Sequence, residues 1–481
     1  MVRAFFTSMK KLSYILIAML LSSCASYYQR NIELQQMISK GELEKAEKKL
    51  ESNKRIQRDR NRLLYLFNMG YINHMQQDFL ASNIYFNEAD FLIEDYKKKY
   101  GFEALALISN PEVKPYRAED FESVMIHYYK SINYLSLKQF DASLVEARRM
   151  NLKLNQLNDK YKDHKNRYQA DAFAHVLMGL SYEASGQLND AFIAYRNAYN
   201  VFDGEHGYFG IRVPEQLKQD LMRTCYLLGF RSELELYEKT FATTYVHREL
   251  KFGEAIVIWQ NGMGPVKDEV SFNFIAIPGQ PGYIIFENKE LGISFPFYIG
   301  NDAQKRKDLL ALQVVRVAFP KYVERPPYYK EALLVHDQTE IKLELVEDIN
   351  AIAFKTLQDR FVRETSVSLL RLALKKSTEL ALANENAALG AAATIANAVS
   401  EKADTRNWQT LPHSIYYARV PLNEGENIVG LKMKNPKGSY DRVGFQFEGK
   451  PRAMHFMPYH SLEHLPLWPG DAGASVHVQN K

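Results

Sequence analysis

The chain has 481 residues, a formal net charge of +4, 46% hydrophobic residues and 25% charged residues, which is an ordinary composition for a globular protein. A chain of this length exceeds what one hydrophobic core supports, so two or three domains are expected. The small net charge gives no indication of nucleic-acid binding, which usually shows a concentrated basic surface.

The N-terminus has the pattern of a lipoprotein signal peptide. Lys10 and Lys11 precede an apolar run from Leu12 to Leu21, and the motif Leu21-Ser22-Ser23-Cys24 places small residues before a cysteine. The alternative, an uncleaved transmembrane helix with a buried cysteine, needs about 20 apolar residues, and this run is shorter. We therefore expect residues 1–23 to be removed and Cys24 to carry acyl chains such as palmitate, which anchor the protein to a membrane.

The chain has two cysteines, Cys24 and Cys225. If Cys24 is lipidated, Cys225 has no intrachain partner, so no disulfide framework is expected. Cys225 lies in the apolar helical segment 221–228, which predicts a buried structural cysteine.

The distribution of proline divides the mature chain into two halves. Of the 17 prolines, fourteen fall from Pro265 onward, whereas the long proline-poor stretch before it suits helices. Apolar residues recur at helical spacing up to about residue 245 and alternate, as in strands, from about Glu254. The pattern predicts a multidomain α + β protein with a helical domain over 24–245 and a β-domain over 250–464, each folding as its own unit.

The helical half contains a repeated spacing of small and aromatic residues. In its clearest copy, Gly179, Tyr182, Ala191, Tyr195 and Ala198 surround a turn at Gly186. This spacing resembles the tetratricopeptide pattern, in which small residues let paired helices approach and aromatic residues fill the space between them. Weaker copies begin at Leu34, Leu66 and Ser131 at uneven intervals; a generic helical bundle is the alternative. The resemblance implies a stack of helical hairpins.

The C-terminal half predicts a sandwich-like β-domain with a helical insertion. The predicted strands are 254–260, 269–277, 282–287, 293–299, 309–319, 331–336, 339–346, 414–420, 426–434, 442–448 and 452–457. Residues 348–402 return to helical spacing and include an Ala-rich run from Ala387 to Ala398, predicted as a second, closely packed helix. Residues 465–481 are predicted to form an extended tail.

Several ordered motifs resemble a family of bacterial tetratricopeptide lipoproteins with a C-terminal β-domain. They are Phe121-Glu122, His127-Tyr128, Asn133-Tyr134-Leu135 and Val145-Glu146-Ala147-Arg148-Arg149 in the helical half, and the segments 261–267 and 403–412 in the β-half. The resemblance implies an envelope setting without an assigned enzymatic activity, in company with lipoproteins that activate peptidoglycan synthases. By resemblance to bacterial lipoproteins, Ala25 after the cysteine, in place of aspartate, implies the outer membrane, with the protein facing the periplasm.

The residues that carry this resemblance supply the candidate sites. His127, Glu146, Arg148 and Arg149 are candidate partner-binding residues of a concave groove, and a Glu–Arg lock between helices is the open alternative. Arg406 and Trp408 are candidate contacts of the β-domain; alternatively Arg406 pairs with Asp404 and Trp408 covers the core.

The sequence has no Gly-x-Ser-x-Gly, His-Glu-x-x-His, Walker loop or paired-cysteine motif. Catalytic residues, cofactors and a metal are therefore not expected, and the spacing of His455, His460 and His464 does not favour a metal site. The expected function is a protein–protein scaffold in the cell envelope, and support of cell-wall or envelope assembly is the process considered for it. An envelope hydrolase, a cysteine enzyme using Cys225 with His206 or His247, and a peptidoglycan- or carbohydrate-binding domain with exposed Trp259 or Trp408 are the alternatives.

Overall fold

The computed structural model describes residues 26–58, 60–100, 114–160, 171–204, 208–311, 314–385 and 402–463. The predicted signal peptide with Cys24, the Ala-rich run 387–398, the tail from residue 465, and His206 and His464 lie outside these residues.

The described chain begins with helices and continues with sheets, as the sequence predicts. The helices of the first half are α1 (Tyr27–Arg30), α2 (Ile32–Ser39), α3 (Leu43–Ser52), α4 (Lys54–Arg58), α5 (Arg62–Met75), α6 (Phe79–Tyr100), α7 (Asp120–Ser136), α8 (Phe140–Lys160), α9 (Ala172–Ala184), α10 (Leu188–Phe202), α11 (Glu215–Leu228) and α12 (Arg231–Thr240). Each of α5 to α11 packs against the helix before it and the helix after it, and α12 packs against α11. The half is therefore a stack of antiparallel hairpins, with α5, α7, α9 and α11 as first helices and α6, α8, α10 and α12 as second helices.

The hairpins share one turn geometry. The residue that reverses the chain has a positive φ in each, and the turn residues are Gly41, Gln77, Lys138, Gly186 and Gly229. Each turn residue donates its N–H to the carbonyl of the residue three positions before it. The next residue in the chain donates its N–H to the carbonyl of the residue five positions before itself. These bonds satisfy the last carbonyls of the first helix. The repeat is thus visible in the backbone even where glycine is absent.

Replacing Lys138 with glycine is expected to stabilise the protein by roughly 0.5–1 kcal/mol. Lys138 is exposed and has a φ of 58°, a conformation that costs a side-chain-bearing residue about 1–2 kcal/mol, of which the flexibility of glycine returns a part. Urea unfolding measures the change. Gln156→Gly, within the regular helix α8, is the control and should destabilise instead; a loss of stability in both variants would contradict the assignment.

Close packing within a hairpin explains the repeated small residues. A β-carbon at Gly179 would overlap the Tyr195 ring, and one at Gly70 would lie 2.7 Å from the Phe86 ring. In the hairpin between them, Ser131 takes the position of the glycine, and its hydroxyl oxygen lies 2.8 Å from that of Ser143 on the facing helix. The helices therefore touch along small residues, as the spacing predicts.

The second half forms three four-stranded sheets. Its strands are β1 (Glu254–Asn261), β2 (Val266–Pro278), β3 (Tyr283–Asn288), β4 (Ile293–Tyr298), β5 (Val314–Val323), β6 (Ala332–His336), β7 (Thr339–Lys342), β8 (Glu344–Asp348), β9 (Ser414–Pro421), β10 (Gly425–Lys434), β11 (Tyr440–Gly449) and β12 (Met454–Ser461). We name the sheet β12-β1-β9-β8 the central sheet, β11-β10-β6-β7 the outer sheet and β4-β3-β2-β5 the third sheet.

The central sheet is covered on both faces. Every residue of β1 is buried. On one face Ala255, Val257 and Trp259 share an apolar core with the outer sheet, and on the other face Ile256 and Ile258 share a core with the helices. Strand β1 pairs with β9 in the antiparallel sense and with β12 in the parallel sense. The order of layers is therefore helices, central sheet, outer sheet.

The third sheet corrects the expectation of one sandwich. It packs against the short helix α13 (Ala303–Leu310) and the long helix α14 (Ile349–Glu385), which begins the predicted helical insertion. The predicted strand 309–319 is also wrong in its first part, because residues 303–310 are helical. Asp302 accepts hydrogen bonds from the N–H groups of Gln304 and Lys305 at 3.0 Å, which caps the helix.

Candidate protein-interaction surface

His127 and Glu146 meet inside the helical stack. His127 Nδ1 lies 2.7 Å from Glu146 Oε2, Lys130 Nζ lies 2.9 Å from Glu146 Oε1, and all three residues are at most 4% exposed. Burial raises the pKa of Glu146, but the hydrogen bond from His127 and the charge of Lys130 outweigh it and hold that pKa below its usual range. This geometry corresponds to a structural lock between α7 and α8.

Arg148 and Arg149 leave α8 in different directions. Arg148 is exposed, and its Nε donates to the Tyr182 hydroxyl at 3.3 Å. Arg149 has a side chain that is 48% exposed and reaches Asp90 of α6 at 3.7 Å and Glu146 at 3.4 Å. The structure therefore divides the four predicted residues: two are buried, and two lie on the surface that the second helices form.

The inner face of the hairpin stack is not an open groove. The central sheet covers the first helices, with Ile256, Ile258, Ile415 and Phe456 in the same buried core as the helical residues. The sequence left open whether His127, Glu146, Arg148 and Arg149 line a concave groove or form a lock between helices, and the inner face of the stack offers no open groove to line. The sheet comes from a part of the chain more than a hundred residues away, and no local pattern indicates where it docks.

A buried ionic network joins the helices to the central sheet. Arg419 of β9 contacts Glu183 at 2.7 Å, Asp220 at 2.9 Å and Glu254 at 2.7 Å, and Arg223 pairs with Glu183 as well. Although burial raises the pKa of Glu183, the Arg223 and Arg419 charges hold it well below its usual range. Glu183 is therefore ionised in the interior and depends on the two arginines for its charge. Sequence reasoning missed this network, since its members belong to four different elements.

A second ionic cluster ties the helices to the third sheet. Glu119, at the start of α7, pairs with Lys267 of β2 and Arg360 of α14. Despite burial, these two cations lower the pKa of the Glu119 carboxyl to about 2. This cluster holds the third sheet and α14 on the helical half.

Arg406 and Trp408 lie in a buried connector, residues 403–412, rather than on a surface. The Arg406 guanidinium binds both carboxylate oxygens of Asp404, at 2.8 and 2.7 Å, and donates to the carbonyl of Lys114 at 3.0 Å. Trp408 is 1% exposed and stacks on Phe67 at 4.3 Å between ring centroids. Of the two predicted alternatives, the geometry corresponds to the structural one.

A buried polar chain also crosses from helix to sheet. His74 of α5 lies between Asn133 and Gln260, at 2.6 and 2.8 Å, and the Tyr71 hydroxyl donates to Gln260 at 2.5 Å and lies 2.7 Å from His460. Burial lowers the pKa of His74 to about 4 and that of His460 to about 3. Both imidazoles are therefore neutral at pH 7.

These two histidines predict a pH-dependent stability. In the unfolded chain a histidine has a pKa of about 6.5, so it binds a proton between pH 6.5 and 4 that the folded state excludes. The contribution of each histidine to the free energy of unfolding is fully present above pH 6.5. It falls as the pH falls, by about 1–2 kcal/mol per histidine at pH 5. The raised pKa of Glu122, about 7 owing to burial and the nearby Glu119 charge, acts in the opposite sense.

A comparison of His74→Gln with the parent protein isolates the contribution of His74 to the pH dependence of stability, because Glu122 is present in both proteins. We expect the loss of urea stability between pH 7 and pH 5 to be smaller in the variant. An equal loss in both proteins would contradict a buried neutral His74.

Cavities at the surface of the described chain include a small one and a larger one. One of about 110 Å³ adjoins Arg325, whose guanidinium donates to the Gly264 carbonyl at 2.6 Å, to Gln35 at 2.9 Å and to the Gln409 carbonyl. A larger one, of about 390 Å³, lies among Leu63, Ile93, Ser123 and Leu157 near the ends of α6 to α8. Neither brings together a nucleophile, a base and an oxyanion donor.

Cys225, Trp259 and Trp408, which the sequence suggested for catalysis or sugar binding, lie in the interior of the protein. Cys225 is fully buried, and burial raises the pKa of its thiol to about 12, the opposite of what a thiolate nucleophile needs. Trp259, like Trp408, is buried, so neither provides an exposed stacking surface. Within the described residues, no group of three His, Cys, Asp or Glu is arranged to hold a metal ion.

The exposed side of the hairpin stack carries a regular apolar row, which sequence reasoning missed. Ile84, Val145, Ile193 and Leu236 each follow the turn residue of their hairpin by seven positions, and they are 61, 48, 37 and 59% exposed. We call these four residues the outer apolar row. The signal was present in the sequence, but only alignment of the hairpins on their turns reveals it.

Comparisons with known proteins add little to this description. No protein-family profile and no curated protein sequence matches the chain. Among solved structures, it is similar to apo RapI (12% identity, TM-score 0.33) and to a Rap protein complexed with competence and sporulation factor (13%, 0.28), covering 44% of this chain and 52%, about half, of each of those chains. A MamA double mutant matches with 18% identity and a TM-score of 0.28, covering 44% of this chain and 88% of that one. Likenesses at these scores carry no conclusion about function.

None of the helices in the described part of the chain combines the length and apolar character needed to cross a bilayer.

Proposed function

We propose that this protein is a lipid-anchored scaffold of the bacterial outer membrane, which faces the periplasm and binds other envelope proteins on the exposed side of its tetratricopeptide-like hairpins. The motif ending at Cys24 supports the anchor. The outer apolar row carries the proposal of binding, because exposed aliphatic side chains that recur at one position of successive hairpins form an extended surface suited to a partner.

The covered inner face of the hairpin stack also favours partner binding on the exposed side. With the central sheet packed on the first helices, a partner meets the second helices, where Arg148 and Arg149 also lie. An enzymatic role for Cys225 gains no support, since its thiol is buried and protonated at neutral pH. Support of cell-wall assembly rests on the family resemblance alone.

Photo-crosslinking in intact envelopes tests the proposal. A photoreactive amino acid at Val145 or Leu236 should yield protein adducts, whereas the same residue at Ile428, 58% exposed on the outer sheet, should not. Adducts from Ile428 only, or from none of the three positions, would overturn the assignment to the hairpins. In the same strains Cys24→Ser should release the protein from the membrane; full retention would reject the lipid anchor.

A further inference from the structure

The outer apolar row crosses the second helices. Neighbouring second helices meet through long side chains: Arg149 of α8 lies 3.7 Å from Asp90 of α6, and the Tyr199 and Tyr237 rings of α10 and α12 are 6.0 Å apart between centroids. Between α8 and α10, the charge of Asp190 acts on Arg148. The four aliphatic side chains therefore lie along one line across the four helices.

Charged residues flank the row on both sides. One helical turn after it, at the same position of three hairpins, lie the exposed cations Arg148, Arg196 and Lys239. One turn before it lie the exposed acids Asp141, Asp190 and Glu233. The row thus runs between a basic stripe and an acidic stripe.

The α6 end of the row differs from the rest. There the positions one turn from Ile84 carry Leu80, which is 58% exposed, and the uncharged Asn87, and one turn further along the helix Phe91 is 76% exposed. Leu152 of α8, at the position that corresponds to Phe91, is 58% exposed. The surface is therefore apolar at one end and charge-flanked at the other, which gives it a direction.

We propose that this surface binds one amphipathic α-helix of a partner protein, lying across the second helices. An α-helix with an apolar side chain every seventh residue presents a straight apolar stripe, because seven residues make nearly two full turns. This stripe matches the linear arrangement of the row. Its two flanks carry opposite charges: acids face Arg148, Arg196 and Lys239, and bases face the acidic stripe. This inference rests on the proposed function and specifies the chemistry of its partner.

The two stripes distinguish this occupant from a lipid surface. An anionic membrane attracts the basic stripe but is repelled by the acidic one, so the outer surface gains little from uniform negative charge. A helix with two oppositely charged flanks complements both stripes at once.

A designed peptide tests the inference. The probe is a helical peptide of roughly 28 residues with Leu every seventh position, Glu on one flank and Lys on the other. It is titrated by fluorescence anisotropy against the full-length protein in nanodiscs of zwitterionic lipid. A peptide of the same composition with scrambled order is the reference and is expected to bind at least about tenfold more weakly, equivalent to 1.4 kcal/mol.

Variants locate the binding surface. Ile193→Ala with Leu236→Ala should weaken binding about tenfold, whereas the matched pair Val362→Ala with Ile428→Ala, both 58% exposed on α14 and the outer sheet, should not change it. Arg196→Glu with Lys239→Glu makes both stripes acidic on α10 and α12, while Arg148 of α8 is kept. This variant should lose affinity for the probe and bind a peptide with Lys on both flanks more tightly than the parent protein does.

Three results would overturn the inference: equal binding of the designed and scrambled peptides, binding that the row variants leave unchanged, and an anionic vesicle that competes fully with the peptide. Self-association through the row would appear in sedimentation as a dimer that Ile193→Ala with Leu236→Ala dissociates, and it would also reject the helix as occupant. Protein crosslinks from Val145 without binding of the designed peptide would reject only the amphipathic helix as the partner, and the proposed function would stand.

Discussion

Replacement of Arg419 by glutamine is expected to lower the free energy of unfolding by about 3–5 kcal/mol, the loss typical of removing one member of a buried ion pair. Arg419 is 6% exposed and contacts the carboxylates of Glu183, Asp220 and Glu254. Glutamine leaves these acids in a low-dielectric interior, with Arg223 as the remaining cation of the network. Since the contacts span α9, α11, β1 and β9, the loss weakens the attachment of the helices to the central sheet.

Urea unfolding followed by far-ultraviolet circular dichroism measures this effect. Arg231→Gln, at the exposed start of α12, is the control and should change stability by less than about 0.5 kcal/mol. Glu254→Gln should cost less than Arg419→Gln, because the amide keeps a hydrogen-bonding group there and because burial, which raises the pKa of Glu254, already disfavours its charged form. Equal midpoints for the two arginine variants would show that the network does not hold the interface.

Replacement of Trp408 by alanine should cost about 3–5 kcal/mol, as expected for truncating a buried aromatic side chain. Its ring stacks on Phe67 and lies within about 6 Å of Phe86 and Tyr129 between centroids. Its backbone N–H also donates to Glu122 at 2.7 Å. Alanine leaves a cavity where the connector 403–412 enters the helical half.

The measurement is again the unfolding midpoint, with near-ultraviolet circular dichroism as a second signal for loss of aromatic packing. Trp408→Phe should cost less than the alanine variant, since it retains part of the stack. Phe91→Ala is the matched control, because Phe91 is 76% exposed and its removal leaves no cavity. Comparable losses for Phe91→Ala and Trp408→Ala would contradict the central place of Trp408.

Both predictions concern the contact between the halves, which the sequence suggested were separate units. The core that contains Trp408, Ile256 and Phe456 also contains the residues of α5, α7 and α9. We therefore expect a single unfolding transition for the helices and the central sheet.

The residues alone predicted the elements and the local packing of hairpins. Gly179 and Tyr195 lie at a helical spacing that brings them together, and the turns at Gly41, Gly186 and Gly229 carry the residue that a positive φ favours. Such features depend on neighbours within one hairpin, so a local pattern records them. Most strand positions followed from alternation for the same reason.

Tertiary structure alone decided which surfaces remained open. The parallel pairing of β1 with β12 joins segments about 200 residues apart, and the docking of that sheet covers the face where a groove was expected. His127 and Arg406 could be recognised as polar residues in ordered motifs, but their partners, Glu146 and Asp404 among them, decide whether they meet solvent or are buried. Burial depends on contacts between distant segments, and such contacts produce no periodic pattern in the sequence. The outer apolar row, in contrast, was encoded by local spacing, and it became a surface only because nothing in the described chain packs over it.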